Sequence, residues 1–400
     1  MPGFEIIGNE EKEEMMDVLS RRVLFRYEFD QQRQGIYKVE AFEKAFAQYC
    51  DTEYALAVSS GTAALKVALA SLGIGPGDEV ITQGFTFVAT WETILDMGAI
   101  PVFAEIDETF CLDPNDIEHR INERTKAILP VHMCGSQARI NEIIEIASRH
   151  NIPVIEDTAQ SCGGRIKGKA LGTFGQIGTF SFDSVKTITT GEGGMIITND
   201  RDLYINASEY HDHGHDHDPE KPRGLEKRRF IGFNYRMMEL QGALGLAQLG
   251  KLEKIILPRQ RENKKQIKDA LHKMDPITFR HLPDPEGDTA TFLIFLLPDA
   301  EKALGFQRVM AEKNAPCVYW YENTWHYFEQ WEHLLGQKSL LFSGYPFLNT
   351  NGTSRASYNP RDLPKTAEIM ARALTIPISI NMDDQIPVIL EAIEKAGEVL

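Results

Sequence analysis

The sequence predicts an α/β fold: a large domain over residues 1–250 with a mainly parallel sheet covered by helices, and a smaller C-terminal α+β domain over residues 251–400. The N-terminal segment is placed to pack on the smaller domain. Three observations carry this expectation. From about residue 54 to 200, short apolar runs alternate with segments whose apolar residues recur at helical spacing, as in parallel strands joined by helical crossovers. A chain of 400 residues with 42% hydrophobic content suits two cores better than one. Beyond residue 250 the alternation gives way to a mixture of strands and helices.

Taken in order, Tyr54–Val58 reads as a buried strand. Residues 62–72 read as a helix with Leu65, Ala68, Leu69 and Leu72 on one face and Gly73 as its stop. Residues 79–82 and 101–104 are strands flanking a helical stretch over 88–97. Residues 126–131 and 153–156 are strands around a helix that carries Ile140, Ile143, Ile144 and Ala147. Residues 178–182 are strand-like. Residues 211–229, with four alternating histidines and then Lys221, Arg223, Lys227, Arg228 and Arg229, are too polar for a core and read as a loop. A long helix follows Leu240 through Leu244, Ala247, Leu249 and Leu252, and is expected to end before Pro258. Residues 290–296 are a strand of the smaller domain.

The charge balance, 42 basic against 58 acidic residues and a net −16, argues against nucleic acid or an anionic membrane as the main partner. The five cysteines are scattered without CxxC spacing, which suits reduced thiols. The first residues lack a signal-peptide pattern, and no apolar run reaches membrane-spanning length. A soluble cytoplasmic protein is the expectation.

Lys186 is the most informative residue. It follows a strand and precedes a glycine pair, Gly193-Gly194, and lysine forms Schiff bases with carbonyl compounds, pyridoxal phosphate included. Alone, a lysine is far more often a solvated surface charge; its company decides otherwise. Ser60-Gly61-Thr62 joins a strand to a helix, where glycine permits close backbone approach and free N–H groups favour an anion, although Ser and Thr are also ordinary helix caps. Asp157 ends a strand and could keep a pyridine nitrogen protonated, or merely cap the next helix. Of Phe85 and Phe87, one could stack on a cofactor ring, or both could be core. In parallel α/β sheets ligands bind outside the carboxyl ends of strands, where Ser60, Asp157 and Lys186 all fall.

In this order, with Gly232-Phe233-Asn234-Tyr235-Arg236 after them, these segments closely resemble the DegT/DnrJ/EryC1/StrS family of pyridoxal phosphate-dependent sugar aminotransferases, of the aspartate aminotransferase-like fold type I. The resemblance implies that Lys186 forms the Schiff base and Asp157 pairs with the ring nitrogen. By the same resemblance Phe87 stacks on the ring and Gln160 lies near its phenolic oxygen. Gly61, Thr62 and Ser181 match the phosphate cradle. Asn234 matches an asparagine supplied by the neighbouring subunit, which implies a homodimer with a shared site. Four segments, residues 1–5, 131–136, 181–189 and 212–217, depart from the usual family wording. They resemble a branch that passes an amino group from L-glutamate to C8 of a free acidic keto-sugar, 3,8-dideoxy-8-oxo-manno-octulosonate, for lipopolysaccharide. A nucleotide-ketosugar aminotransferase is the alternative. The family's dehydratase branch carries histidine where Lys186 stands.

An acidic sugar calls for a cation, and Arg223, Arg228, Arg229 and Arg236 are the candidates, each equally readable as a surface arginine. The histidines at 211–217 fit a metal site poorly, having no cysteine or second ligand pair nearby. His213 and His215 lining the sugar pocket is the preferred functional reading, with no metal. Residues 320–327 are aromatic enough to stack on a sugar or to pack a core.

Overall fold

The computed structural model describes residues 3–218, 220–221, 224–349, 351–398 and 400. Strands β1 (Tyr54–Val58), β2 (Glu79–Gln83), β3 (Ile100–Ala104), β4 (Thr125–Ile128) and β5 (Ile155–Asp157) are followed by a hairpin, β6 (Arg165–Ile166) and β7 (Lys169–Ala170). Then come β8 (Ile177–Ser181) and β9 (Gly194–Thr198). β3-β2-β4 and β5-β8-β9-β1 form one surface, because parallel bridges join Ile128 to Val154 and Val131 to Asp157. β9 is antiparallel to both neighbours, β1 and β8, and the other pairings are parallel, so the expected mainly parallel sheet is found. β1, β2, β5 and β8 therefore run the same way, and the loops after them meet along one edge.

The helix expected over 62–72 spans Gly61–Ser71, capped by Ser60, whose side chain accepts from the Ala63 N–H at 3.0 Å. The helix expected to stop before Pro258 does not. Glu239–Lys251 passes through a π turn, Leu252–Ile256, into the helix Leu257–Leu271. Pro258 sits in the first turn of that second helix, where its missing N–H is not required.

The polar loop also differs from expectation. It is a loop, yet His211, Asp212 and His215 are buried. Pairing explains this: Asp212 binds Arg236, His211 Nε2 lies 3.2 Å from the Tyr27 hydroxyl, and His215 Nε2 lies 3.1 Å from Glu226. Polar groups enter a core when partners are supplied.

In the C-terminal part, β10 (Thr278–Phe279), β11 (Phe292–Leu296) and β12 (Ala373–Pro377) form an antiparallel sheet. β11 is buried on both faces. Leu293 and Phe295 join a core with Phe306, Leu374 and Ile389, while Phe292 and Ile294 face the core of the large sheet. The segment after Trp320 returns to that large core: Trp331 packs 5.2 Å from Trp91, and Phe328 packs 5.0 Å from Phe103.

A buried ion pair ties the N-terminal helix Lys38–Cys50 to β1. Glu43 meets Arg26 at 2.5 Å and accepts from the Ala57 N–H at 2.6 Å, and Arg26 donates to the Ala57 carbonyl at 2.8 Å. Glu43→Leu is expected to lower unfolding stability by about 3–5 kcal/mol, because it strands a buried guanidinium. Urea melts of the two proteins check this.

Candidate active site

At the carboxyl edge of the sheet one pocket is lined by Gly61 and Thr62 after β1, Phe87 after β2, Asp157 and Gln160 at the end of β5, and Ser181 and Lys186 at the end of β8. Residues far apart in sequence thus share a site.

Asp157 is buried, with Oδ2 accepting from the Thr90 hydroxyl at 2.9 Å and Oδ1 from the Ala159 N–H at 3.1 Å. The Thr86 hydroxyl lies 2.8 Å from that of Thr90 and completes a hydroxyl chain. Burial raises the Asp157 pKa, while the two hydrogen bonds and the Lys186 charge oppose it. Burial lowers the Lys186 pKa, against the pull of Asp183 and Asp157. A depressed lysine next to a carboxylate suits an amine that must be uncharged to attack a carbonyl.

Behind Asp157, Glu156 is fully buried and accepts from the Gly172, Phe174 and Gly175 N–H groups at 2.9, 2.6 and 2.7 Å. His132 accepts the Ala138 N–H at Nδ1, which leaves its Nε2–H to donate to Glu156 at 3.0 Å. This lattice fixes the end of β5. Gln160 is held in turn by the Cys134 N–H, which donates to its Oε1 at 3.0 Å.

Phe85 is core, whereas Phe87 is half-buried in the pocket, with Lys186 Nζ 6.0 Å from its ring centre. A backbone ribbon sets Phe87: Thr86 N–H donates to the His326 carbonyl at 2.9 Å, Val88 N–H to that of Trp325 at 3.0 Å, and Phe328 N–H to that of Gly84 at 2.9 Å. The ribbon lays Trp325 parallel to Phe87, centroids 5.7 Å apart, and His326 5.4 Å away. Burial and the Lys186 charge push His326 down to about 4, so it is neutral.

Pyridoxal phosphate fits these residues. The Gly61 and Thr62 N–H groups open the helix Gly61–Ser71 and donate to no acceptor among the described residues. A Cβ on Gly61 would stand 2.6 Å from Ser181 Cβ and 2.9 Å from its Oγ, so only glycine leaves this cradle open. Gly61→Ala is expected to weaken binding of the cofactor about tenfold or more, measured by titration of the cofactor-free protein.

Asn234, His213, His215 and Arg236 do not line this pocket. Asn234 is exposed and pairs with Asp212, and Arg236 is bound to Asp212. His215 and His217 line a separate acidic cleft with Tyr27 and Glu43. Within one chain these residues stand apart from Lys186. Arg228 and Arg229 are paired with Glu226 and Glu209, and Arg223 lies outside the described residues. Among the described residues no cluster of three metal-ligating side chains occurs.

Sequence reasoning missed Thr86 and Thr90, although Thr86 stands between the two phenylalanines it weighed. It also missed Arg280, a buried guanidinium that gives one bond, to the Met133 carbonyl at 3.0 Å, and leaves Nε and Nη1 without partners among the described residues. No local signal marks that arginine.

GDP-perosamine synthase of Caulobacter vibrioides is 45% identical to this chain over 221 residues, covering 55% of the chain and 58% of that protein. The chain thus spans less than two thirds of that relative's length. Spore coat polysaccharide biosynthesis protein SpsC of Bacillus subtilis is 31% identical over 404 residues, covering 97% of this chain and 94% of SpsC. The X-ray structure of the aminotransferase from Psychrobacter cryohalolentis superposes with a TM-score of 0.81 at 27% identity, covering 97% of this chain and 96% of that one. The fold is that of the fold type I, aspartate aminotransferase-like transferases, and pyridoxal phosphate is the cofactor of the family that the comparisons identify. The model of the DegT/DnrJ/EryC1/StrS aminotransferase family matches residues 15–344, and the chain belongs to that family.

Proposed function

We propose that this protein is a pyridoxal phosphate-dependent aminotransferase that moves an amino group from L-glutamate to C8 of 3,8-dideoxy-8-oxo-manno-octulosonate. The products are 2-oxoglutarate and 8-amino-3,8-dideoxy-manno-octulosonate, a sugar for lipopolysaccharide, which is the reaction of 8-amino-3,8-dideoxy-manno-octulosonate transaminase. The observation that carries the aminotransferase reading is the convergence of Lys186, Asp157 and Phe87 on one pocket.

Bound there, the cofactor supplies an electron sink and a carrier for the amino group. Asp157, as a carboxylate fixed by Thr90 and Ala159, would hold a proton on the ring nitrogen. Phe87 would cover one ring face and Gln160 would lie near the phenolic oxygen, while Gly61, Thr62 and Ser181 would hold the phosphate. With the cofactor bound, Lys186 in its uncharged form would be the general base that takes the proton from the donor's alpha carbon, and water would release 2-oxoglutarate. In the second half of the cycle the same lysine would place a proton on C8 of the sugar, whose aldehyde oxygen leaves as water. Alternation of substrates at one site gives ping-pong kinetics.

Asn234 would enter the site of a neighbouring subunit, which makes a homodimer the working unit of this reading. His213, His215 and Arg236, on the same loop region, would reach the sugar by the same route.

The choice of sugar rests on the four divergent segments. The GDP-perosamine synthase relative favours a second reading, amination of a nucleotide-linked ketosugar for O-antigen or an antibiotic. Mass spectrometry of amino-sugar formation from L-glutamate, with the 8-oxo octulosonate set against GDP-, UDP- and dTDP-linked ketosugars, separates the two. Amination of the free acid alone supports the first. Turnover confined to a nucleotide sugar overturns it.

A further inference from the structure

The residues following the N-terminus form a short turn, Gly3–Ile6, and then the helix Asn9–Arg21. The Gly3 N–H donates to the backbone carbonyl of Lys186 at 2.9 Å, and no other described residue donates to that oxygen. A Cβ on Gly3 would lie 2.8 Å from Thr189 N and 2.9 Å from both Ile188 C and Lys186 O. All three are backbone atoms, which cannot swing aside as a side chain can. Glycine is needed here for space.

Two further ties run from the same segment. Glu5 Oε2 accepts from the N–H groups of Ile380 at 3.2 Å and Asn381 at 2.8 Å, just beyond β12. Glu11, fully buried, binds Lys251 Nζ at 2.6 and 2.7 Å and accepts from Gln248 Nε2 at 3.0 Å. Gln248 Oε1 in turn accepts the Thr189 N–H at 3.3 Å. Lys251 also donates to the Ile6 carbonyl at 2.9 Å. The loop bearing Lys186 is therefore gripped at residue 186 by Gly3 and at residue 189 through Gln248 and Glu11. The grip extends to residues 380–381 through Glu5.

We propose that residues 3–11 act as a clasp that positions Lys186, with Gly3 and Glu5 as positioning residues linking the lysine loop to the residues after β12. The proposal rests on Lys186 being the imine-forming amine. In that step the neutral amine attacks an aldehyde carbon, a C=N bond forms and water leaves, so small errors in the amine's placement reduce the rate. The four-residue turn does no chemistry itself; it contacts the lysine's backbone and not its Nζ.

The test uses the full chain carrying Gly3→Val or, should that variant fail to fold, Glu5→Ala. Two quantities are read: amide hydrogen exchange over residues 183–190 in cofactor-free protein, and the rate of imine formation with pyridoxal phosphate by absorbance. Exchange at Thr189 at least tenfold faster, with imine formation about tenfold slower and the melting temperature little changed, is the expected result. A merely structural role would lower the melting temperature and leave the imine rate of the folded fraction unchanged, which overturns the proposal. So does a folded variant within twofold of wild type in both readouts. If the wild-type protein forms no imine, the assignment of Lys186 fails, while the exchange data still decide whether the clasp holds the loop.

Discussion

Lys186→Ala is expected to leave no cofactor adduct after borohydride reduction, and to lower turnover with L-glutamate and the acceptor sugar by at least about ten-thousandfold. Loss of a positioned general base alone accounts for about 10²–10⁴, and the covalent attachment is lost with it. Its environment makes a second, sharper demand. Burial lowers the lysine's pKa, so its uncharged fraction rises with pH through a value below that of a surface lysine. The rate of imine formation in the wild-type protein should therefore climb with pH and level off before the ordinary lysine value near 10.4. Lys186→Arg, permanently charged, should behave as the alanine variant does. Intact-protein mass spectrometry after reduction checks the first point and stopped-flow absorbance the second. An adduct on the alanine variant, with turnover retained, would remove the basis of the functional reading.

Most of the large sheet was legible because short buried runs such as β1, β2 and β8 alternate with helices that carry one apolar stripe. β9, the antiparallel strand between β8 and β1, was not among the strands read from the sequence. The pocket was legible because its chemistry sits at strand ends, where position in the chain predicts position in space. What escaped was set by contacts between distant segments. Trp325 and His326 reach Phe87 through a ribbon spanning more than half the chain, and nothing in either segment announces the other. Pro258 misled because a proline stops a helix only when its N–H is needed, and a π turn removed the need. The histidine loop misled for a related reason: polarity predicts exposure only where partners are lacking. Asp212, with Arg236 beside it, has a partner.

Asp157→Asn is expected to move activity and stability in opposite directions. The carboxylate must be ionised to keep a proton on the ring nitrogen, and asparagine carries no charge to do so. Turnover should fall about a hundred- to a thousandfold, the range for removing one preorganised electrostatic contact. The stability effect follows from the raised pKa. The unfolded chain releases this proton near the ordinary aspartate value, whereas the folded protein keeps it to higher pH. Between those two values the native state binds more protons than the unfolded state, so stability falls as pH rises through the window and stays lower above it. Asparagine has no such window. Its Oδ1 can keep the bond from the Ala159 N–H, while its Nδ2 replaces the oxygen facing Thr90, whose hydroxyl can turn to accept from it, so packing is nearly unchanged. In cofactor-free protein the variant should therefore melt above wild type at neutral pH, and the difference should close as pH is lowered below the ordinary aspartate value. Thr90→Val gives the complementary case: it removes a donor from the ionised carboxylate, which raises the Asp157 pKa further and shifts the acid limb of activity upward. Calorimetric melts from about pH 3 to pH 8, run beside turnover assays, read both effects. An Asp157→Asn protein that melts below wild type at neutral pH, or keeps turnover within tenfold, would show that the buried carboxylate serves the fold and not the cofactor.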